Sequence, residues 1–425
     1  MKKYSSEFIT EISLRGFIHQ ATDIDKLDKI LSKGSPSIGY IGFDCTAKSL
    51  HVGSLIQIML LRWFQRLGHK PIVLLGGGTT LIGDPSGKDE SRKLLNEKTI
   101  SENSLNIKNI FKKFIDFENY QEKNALIVDN AEWLKKLSYI EFLRNYGKHF
   151  SVNRMLNFDS VKLRLEREQN LSFLEFNYMI LQAYDFLELN KRYNCIIQMG
   201  GSDQWGNIVN GVELNRRISA ERKETSELFG LTSPLITTSD GKKMGKTEKG
   251  AIWLDETLCS PWEYWQFWRN TSDKDVPKFL KLFTEIDLSE IKKLEKLKGE
   301  ELNEAKKILA TEATTLLHGK TNAIQSLNAA EDVFEKNKLE NSLPTVEIDR
   351  YIIKKSITIL ELFSIPGSLL NSKSEARRLI RGGGAKINNE TIKDENLIID
   401  QSFFLNNDSI KLSAGKKRHI NIKLK

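Results

Sequence analysis

The sequence predicts an α/β protein in which a doubly wound parallel sheet comes first, a small helical domain second and a basic, mixed α and β unit last. Three observations carry this. Short apolar runs alternate with helix-period segments as far as Ile218, the pattern of a parallel sheet wrapped by helices. From Ser260 onward the strand signal fades into helical segments. A polar stretch, Glu335 to Leu343, ends in Pro344 and has the composition of a linker.

The strands expected in the first part are Ile38–Phe43, Pro71–Leu75, Ala125–Asp129 and Cys195–Met199. Helices are expected over Val52–Leu67, Ser101–Phe117, Ser138–Phe150, Ser172–Leu189 and Ser202–Ile218. In the first, Leu55, Ile58, Met59 and Trp63 recur at three and four, so one face covers the sheet. In such a design ligands sit at the carboxyl ends of the strands. Pro261–Arg269, Val276–Phe283, Leu288–Leu297 and Glu301–Leu317 read as helices. Beyond the linker, Ile352–Phe363 and Ser374–Arg381 read as helices, and Lys386–Asn388 and Ile410–Leu412 as short strands. The domains expected are therefore 1–250, 251–334 and 348–425, with a linker over 335–347.

With 425 residues the chain exceeds one ordinary core, and 40% hydrophobic with 28% charged residues is the composition of a soluble globular protein. Cys45, Cys195 and Cys259 have neither CxxC nor CxxH spacing, which argues against a disulfide framework or zinc site and fits a reducing, cytoplasmic setting. No uncharged run approaches the roughly 18 residues of a membrane span. The net charge of +8 favours a polyanionic partner. From Lys411 onward there are basic residues and no acid, a composition suited to phosphate contact.

Two loops carry the chemistry. His51-Val52-Gly53-Ser54 follows the first strand at the start of a helix, where unpaired N–H groups favour anions. Gly53 admits close approach of a nucleotide, and His51 can donate to a phosphate oxygen. By itself the motif is weak and reads more readily as a capped helix with a surface histidine. Downstream, Asp240-Gly241-Lys242-Lys243-Met244-Gly245-Lys246-Thr247 is a lysine loop hinged by glycines that can close over a triphosphate, or a solvated turn.

In this order and context the two loops resemble the HIGH and KMSKS signatures of class I aminoacyl-tRNA synthetases. Four further stretches narrow the resemblance to the bacterial type of tyrosyl-tRNA synthetase, over nearly the whole chain: 40–44 (YIGFD), 83–88 (GDPSGK), 178–185 (YMILQAYD) and 200–207 (GGSDQWGN). It implies a Rossmann-like catalytic domain binding ATP and tyrosine, a helical domain contacting tRNA, and an S4-like RNA-binding domain.

The resemblance assigns roles residue by residue. Asp84, Tyr178 and Gln182 hold the amino acid's ammonium group, Tyr40 and Asp185 meet its phenolic hydroxyl, and Gln204 lies near its carboxylate. Tyr178, Gln182 and Asp185 are four and then three apart, so they share one helix face, which without the resemblance reads as a solvated side. Gly42, Asp44, Gly53, Ser54, Gly201 and Asp203 are assigned to ATP, with Asp203 at the ribose. Independently of the resemblance, Ser202 follows a strand and is the expected cap of the next helix.

Activation is attack of the tyrosine carboxylate on the α-phosphorus of ATP. It needs alignment and charge stabilisation rather than a general base. That work is assigned to Thr46, His51, Lys243, Lys246 and Thr247, with Lys88 and Arg92 as phosphate helpers. Mg²⁺ accompanies ATP, and no protein ligand for it is readable. The terminal ribose of tRNA(Tyr) then attacks the adenylate.

Two departures stand out: Ser54 replaces the second histidine of HIGH, and Ile41 stands where many relatives have a polar or thiol group. At the RNA end, Arg377, Arg378 and Arg381 crowd one helix before the glycines 382–384 and Lys386, resembling an S4 domain. A homodimer is also implied. The competing functions are a nucleotidyltransferase acting on another small acid, against which Tyr40, Asp185 and the S4-like end speak, and a non-catalytic RNA-binding relative.

Overall fold

A computed structural model describes residues 3–84, 95–119, 121–239, 241, 244–247, 250–334, 343–354, 356–365, 367–404, 409–415 and 418–425. Two compact units emerge: 1–260 with 271–309, and 261–270 with 310–425.

The first unit is built on a six-stranded sheet. Its strands are β1 (Gln20–Ala21), β2 (Ile38–Phe43), β3 (Lys70–Leu75), β4 (Leu126–Asp129), β5 (Ile197–Gly201) and β6 (Phe229–Ser233), in the order β1-β6-β5-β2-β3-β4. All neighbours pair parallel except the edge strand β1, which is antiparallel to β6. The parallel strands start at β2, run outward through β3 and β4, then return to the other side of β2 for β5 and β6. The order therefore reverses between β2 and β5, and a crevice opens there at the carboxyl ends.

Helix α1 (Glu7–Arg15) is capped by Ser6 and closed by Gly16 at φ +88°. Helix α2 (Ile24–Leu31) is capped by Asp23. Helix α3 (Leu55–Arg66) follows a 3₁₀ turn at Val52–Ser54 and buries Leu55, Ile58, Met59 and Trp63 as its periodicity predicts, and also Ile56, Leu60, Leu61 and Phe64. Full burial of each such side chain stabilises by roughly 1.5–3 kcal/mol. Helix α4 (Glu97–Phe114) begins four residues earlier than expected because Asn96 caps it, and it stops at Ile115, whose backbone is extended. The helix Phe173–Tyr193 opens on a capping box between Ser172 and Glu175.

Several expectations are corrected. The strand expected at Cys195–Met199 is shifted two residues to Ile197–Gly201, because Asn194 adopts a left-handed conformation and ends the preceding helix at Tyr193. The helix expected over Ser138–Phe150 breaks after Asn145 into a 3₁₀ turn, Gly147–His149. Strand β6 and helices α1, α2 and Lys320–Phe334 were not foreseen. Residues 271–309 group with the sheet unit rather than with the helices around them.

In the second unit, the first part of the expected linker lies outside the described residues. Thr345–Ile348 is not linker: it is a strand pairing parallel with Arg418–Leu424 in a five-stranded sheet. The helix expected at Ile352–Phe363 is interrupted by a short strand, Ile357–Thr358, before Ile359–Ser364. Ser356 at φ +59° makes the break. A separate core, including Ile359, Phe363, Ile410, Leu412 and Ile422, closes this end of the chain.

Candidate active site

The crevice between β2 and β5 holds a cavity of about 270 Å³. Its lining includes Tyr40, Gly42, Asp44, Gly53, Ser54, Asp84, Tyr178, Gln182, Asp185, Gly201, Asp203 and Gln204. Tyr40, Gly42 and Asp44 come from the end of β2, and Gly201 to Gln204 from the end of β5 and its turn. Tyr178, Gln182 and Asp185 come from one face of the Phe173–Tyr193 helix.

Asp185 lies at the buried end, 1% exposed. Trp133 Nε1 donates to its Oδ1 at 2.7 Å and Asn130 Nδ2 to its Oδ2 at 2.9 Å. Burial lifts the carboxyl to about 7, and these two hydrogen bonds pull it down. The Tyr40 hydroxyl, 1% exposed, has no hydrogen-bond partner among the described residues, and its pKa is raised well above 10.0 by burial first and by the charge of Asp185 second. Leaving such a group unpaired costs about 1–3 kcal/mol. A ligand hydroxyl placed here gives Tyr40 the partner it lacks.

The same polar chain runs outward. Asn130 Nδ2 also donates to Thr79 Oγ1 at 3.0 Å, Thr79 donates to Asp44 Oδ1 at 2.9 Å, and the Tyr178 hydroxyl donates to Asp44 Oδ2 at 3.1 Å. Tyr178 therefore keeps its oxygen lone pairs for a donor such as an ammonium. A second string lies opposite: Gln204 Nε2 donates to Asp84 Oδ2 at 2.9 Å, and Asn207 Nδ2 donates to Gln182 Oε1 at 2.9 Å and Gln204 Oε1 at 3.1 Å. The carboxylates Asp44 and Asp84 and the amides Gln182 and Gln204 thus face one small space, with Asn207 behind the two amides.

The two phosphate loops are adjacent. Val52 N–H donates to Ile252 O at 2.9 Å, His51 bridges Trp253, and Ile252 N–H donates to Gly245 O at 3.0 Å. A Cβ at Gly53 meets the His51 ring at 2.5 Å and Met244 O at 3.3 Å, so only glycine fits. Gly245 has φ +84°, and a Cβ added there would lie 3.0 Å from Gly53 N. His51 Nδ1 accepts the Gly53 N–H at 2.9 Å, so the neutral ring carries its proton on Nε2.

Not every expected residue reaches the cavity. Thr46 is exposed and His51 half-buried, and neither lines it. Lys243, Lys88 and Arg92 lie outside the described residues. Lys246 and Thr247 form a short strand against Gly250–Ala251. Ser202 is no side-chain cap: it begins a 3₁₀ turn, Ser202–Gln204, that feeds the Trp205–Arg222 helix. At the other end of the chain, Arg377, Arg378 and Arg381 are exposed on Lys373–Arg381 and Lys386 on Ala385–Ile387. Arg381 donates to both Glu395 oxygens at 2.9 and 3.0 Å, and Arg377 lies 3.7 Å from the same carboxylate.

Asn130, Trp133, Thr79 and Asn207 were missed as site residues. The available signal was position: Asn130 and Trp133 directly follow the carboxyl end of β4, and Thr79 follows that of β3, where ligand groups collect.

Residues 32–335 match the family model described as tRNA synthetases class I (W and Y). The chain belongs to the class I aminoacyl-tRNA synthetases. Among the relatives of this synthetase, a tyrosine–tRNA ligase of Methylocella silvestris is 55% identical over 99% of this chain and 98% of the relative. One of Ehrlichia canis is 56% identical over 100% and 99%. A C-terminally truncated mitochondrial tyrosyl-tRNA synthetase of Aspergillus nidulans superposes with a TM-score of 0.68 at 31% identity, covering 77% of this chain and 94% of that one. These place the chain in the bacterial tyrosyl branch of the synthetases.

Proposed function

We propose that this synthetase ligates L-tyrosine to tRNA(Tyr) in two steps within the β2/β5 crevice. The observation that carries the choice of amino acid is the unpartnered, buried Tyr40 hydroxyl beside Asp185. The tyrosine phenol donates to the Asp185 carboxylate and accepts from Tyr40. Phenylalanine leaves Tyr40 without a partner and Asp185 with only its two protein donors; tyrosyl-tRNA synthetase is the known illustration of how strongly a site of this kind rejects it. At the outer end Asp84 opposes the ammonium charge, while Tyr178 and Gln182 accept its remaining hydrogens. Gln204 lies near the carboxylate.

ATP enters with Mg²⁺ at the loop side, its ribose near Asp203 and its backbone approach permitted by Gly42, Gly53 and Gly201. The tyrosine carboxylate attacks the α-phosphorus and pyrophosphate leaves. His51 Nε2–H, Lys243, Lys246 and Thr247 stabilise the charge that gathers on pyrophosphate, with Thr46, Lys88 and Arg92 assisting. The 3′-terminal ribose hydroxyl of the tRNA then attacks the adenylate carbonyl and AMP leaves. The 348–425 module, with Arg377, Arg378, Arg381 and Lys386, holds the tRNA, and 251–334 adds helical contacts.

The enzyme works in the cytoplasm as a homodimer. Tyr139, Ile140, Val152, Leu165 and Phe173 are large apolar residues exposed within one stretch, Ile140 at 71% and Phe173 at 69%. These are the residues assigned to the subunit interface. No helix of the described residues is long and apolar enough to cross a membrane.

The test is Asp185→Ala: tyrosine-dependent exchange of pyrophosphate into ATP is abolished, or tyrosine loses its advantage over phenylalanine. Exchange and preference both at wild-type levels sink the assignment.

A further inference from the structure

Away from the crevice, at the far end of α3, a wider and more open cavity of about 670 Å³ is lined by Arg62, Arg66, Lys112, Lys113 and Phe117, with Gln65 at its base. The 12 residues of α3 put it about 18 Å from the phosphate loop. Its frame is rigid. Gln65 Nε2 donates to Asp116 O at 2.6 Å and Lys123 O at 3.1 Å, and its Oε1 accepts the Asp116 N–H at 2.9 Å. Arg62 Nη1 donates to Phe114 O.

The lining itself carries four cations, Arg62, Arg66, Lys112 and Lys113, against two carboxylates, Asp116 and Glu118. Arg62 and Arg66 share a single carboxylate, Glu285. Asp116 is engaged by its own turn, accepting the Glu118 and Asn119 N–H groups at 2.8 Å each. Lys113 has only Glu256, at 3.9 Å, and Lys112 has no partner among the described residues. Cations in a last turn commonly offset a helix dipole, which explains each helix singly. It does not explain why the last turns of α3 and α4 converge on one cavity.

We propose that this cavity is a second RNA-contacting site, taking backbone phosphates on Arg66, Lys112 and Lys113 and a base against Phe117. A basic groove with an aromatic ring beside it is the arrangement that holds single-stranded nucleic acid without reading sequence. Arg62 braces the wall and is not itself the contact.

The test uses the full-length protein with Arg66, Lys112 and Lys113 all changed to Gln, and a 20-nucleotide oligouridylate carrying 4-thiouridine as probe. Affinity measured against salt shows a slope reduced by about 2, since each single-strand phosphate contact contributes about 0.7. Crosslinks in the wild type map to peptides spanning 112–119 and vanish in the variant, while tyrosine-dependent pyrophosphate exchange stays at its wild-type level. Should the triple variant not fold, Lys112→Glu alone, at an exposed position, lowers the slope by about 0.7 and weakens the same crosslinks. Unchanged slope and crosslinks overturn the site. Pyrophosphate binding lost with RNA binding intact overturns the RNA assignment in favour of a small anion.

Discussion

Replacing Trp133 by Phe removes one N–H from a buried carboxylate and keeps a ring under Arg192, whose guanidinium lies 5.2 Å from the Trp133 centroid. Burial holds Asp185 at about 7 against an ordinary 3.8, and the two donors are what keep it from rising further. A hydrogen bond to a charged group contributes about 1.5–3 kcal/mol. At about 1.4 kcal/mol per pKa unit, its loss moves Asp185 up by about 1–2 units. The ionised carboxylate is the form that accepts a phenol proton. The KM for tyrosine in pyrophosphate exchange therefore rises in the wild type as pH falls below about 7. In Trp133→Phe the rise begins about 1–2 units higher, weakening tyrosine about tenfold near pH 7.5 and recovering in alkali. The KM for ATP does not follow. Superimposable tyrosine profiles for the two proteins refute the reasoning.

The same carboxyl sets a stability trend: between about 3.8 and 7 the folded chain binds a proton the unfolded chain has released, so Asp185 lowers stability as pH rises across that window and adds no further slope above it. Denaturant melts of Asp185→Asn, whose amide does not titrate, lack this component. Gly53→Ala forces a Cβ into the His51 ring 2.5 Å away, and a rise in the KM for ATP of tenfold or more, with tyrosine affinity kept, is the expected result in stopped-flow binding. Ser54→Ala changes the exchange rate by no more than about threefold, because Ser54 makes no side-chain cap and brings no charge. A chain ending near Leu343 forms adenylate but charges tRNA poorly, measured by aminoacylation beside exchange. Phe173→Asp with Ile140→Asp lowers the mass in sedimentation to that of one chain.

How much of this was legible in the sequence differs from element to element. Strand β2 and the helices Pro261–Arg269 and Val276–Phe283 match the expected bounds because their composition, flanking turns and periodicity agree. Strand β6, FGLTS, is buried along its whole length yet carries a glycine and a serine and no alternation, so no two-residue pattern marks it. Helices α1 and α2 were legible: behind caps at Ser6 and Asp23 their apolar residues recur at helix spacing, Phe8, Ile9 and Ile12 in one and Ile24, Leu27 and Leu31 in the other. Within the site, Tyr178, Gln182 and Asp185 share a helix and a spacing, so the sequence brings them to one face. Asn130 and Trp133 reach Asp185 from more than 50 positions away through sheet order alone, and no local pattern encodes such a meeting. His51 and Thr46 show the reverse: the motif names them, but the pocket wall is built by Gly53 and Ser54 beside them.

The central claim is that the pair Tyr40 and Asp185 selects the amino acid. Amino-acid-dependent pyrophosphate exchange on the wild-type chain, with tyrosine, phenylalanine, tryptophan and no amino acid compared in parallel, tests it most directly. Exchange with tyrosine alone is the predicted result; equal exchange with phenylalanine, or none with tyrosine, contradicts it.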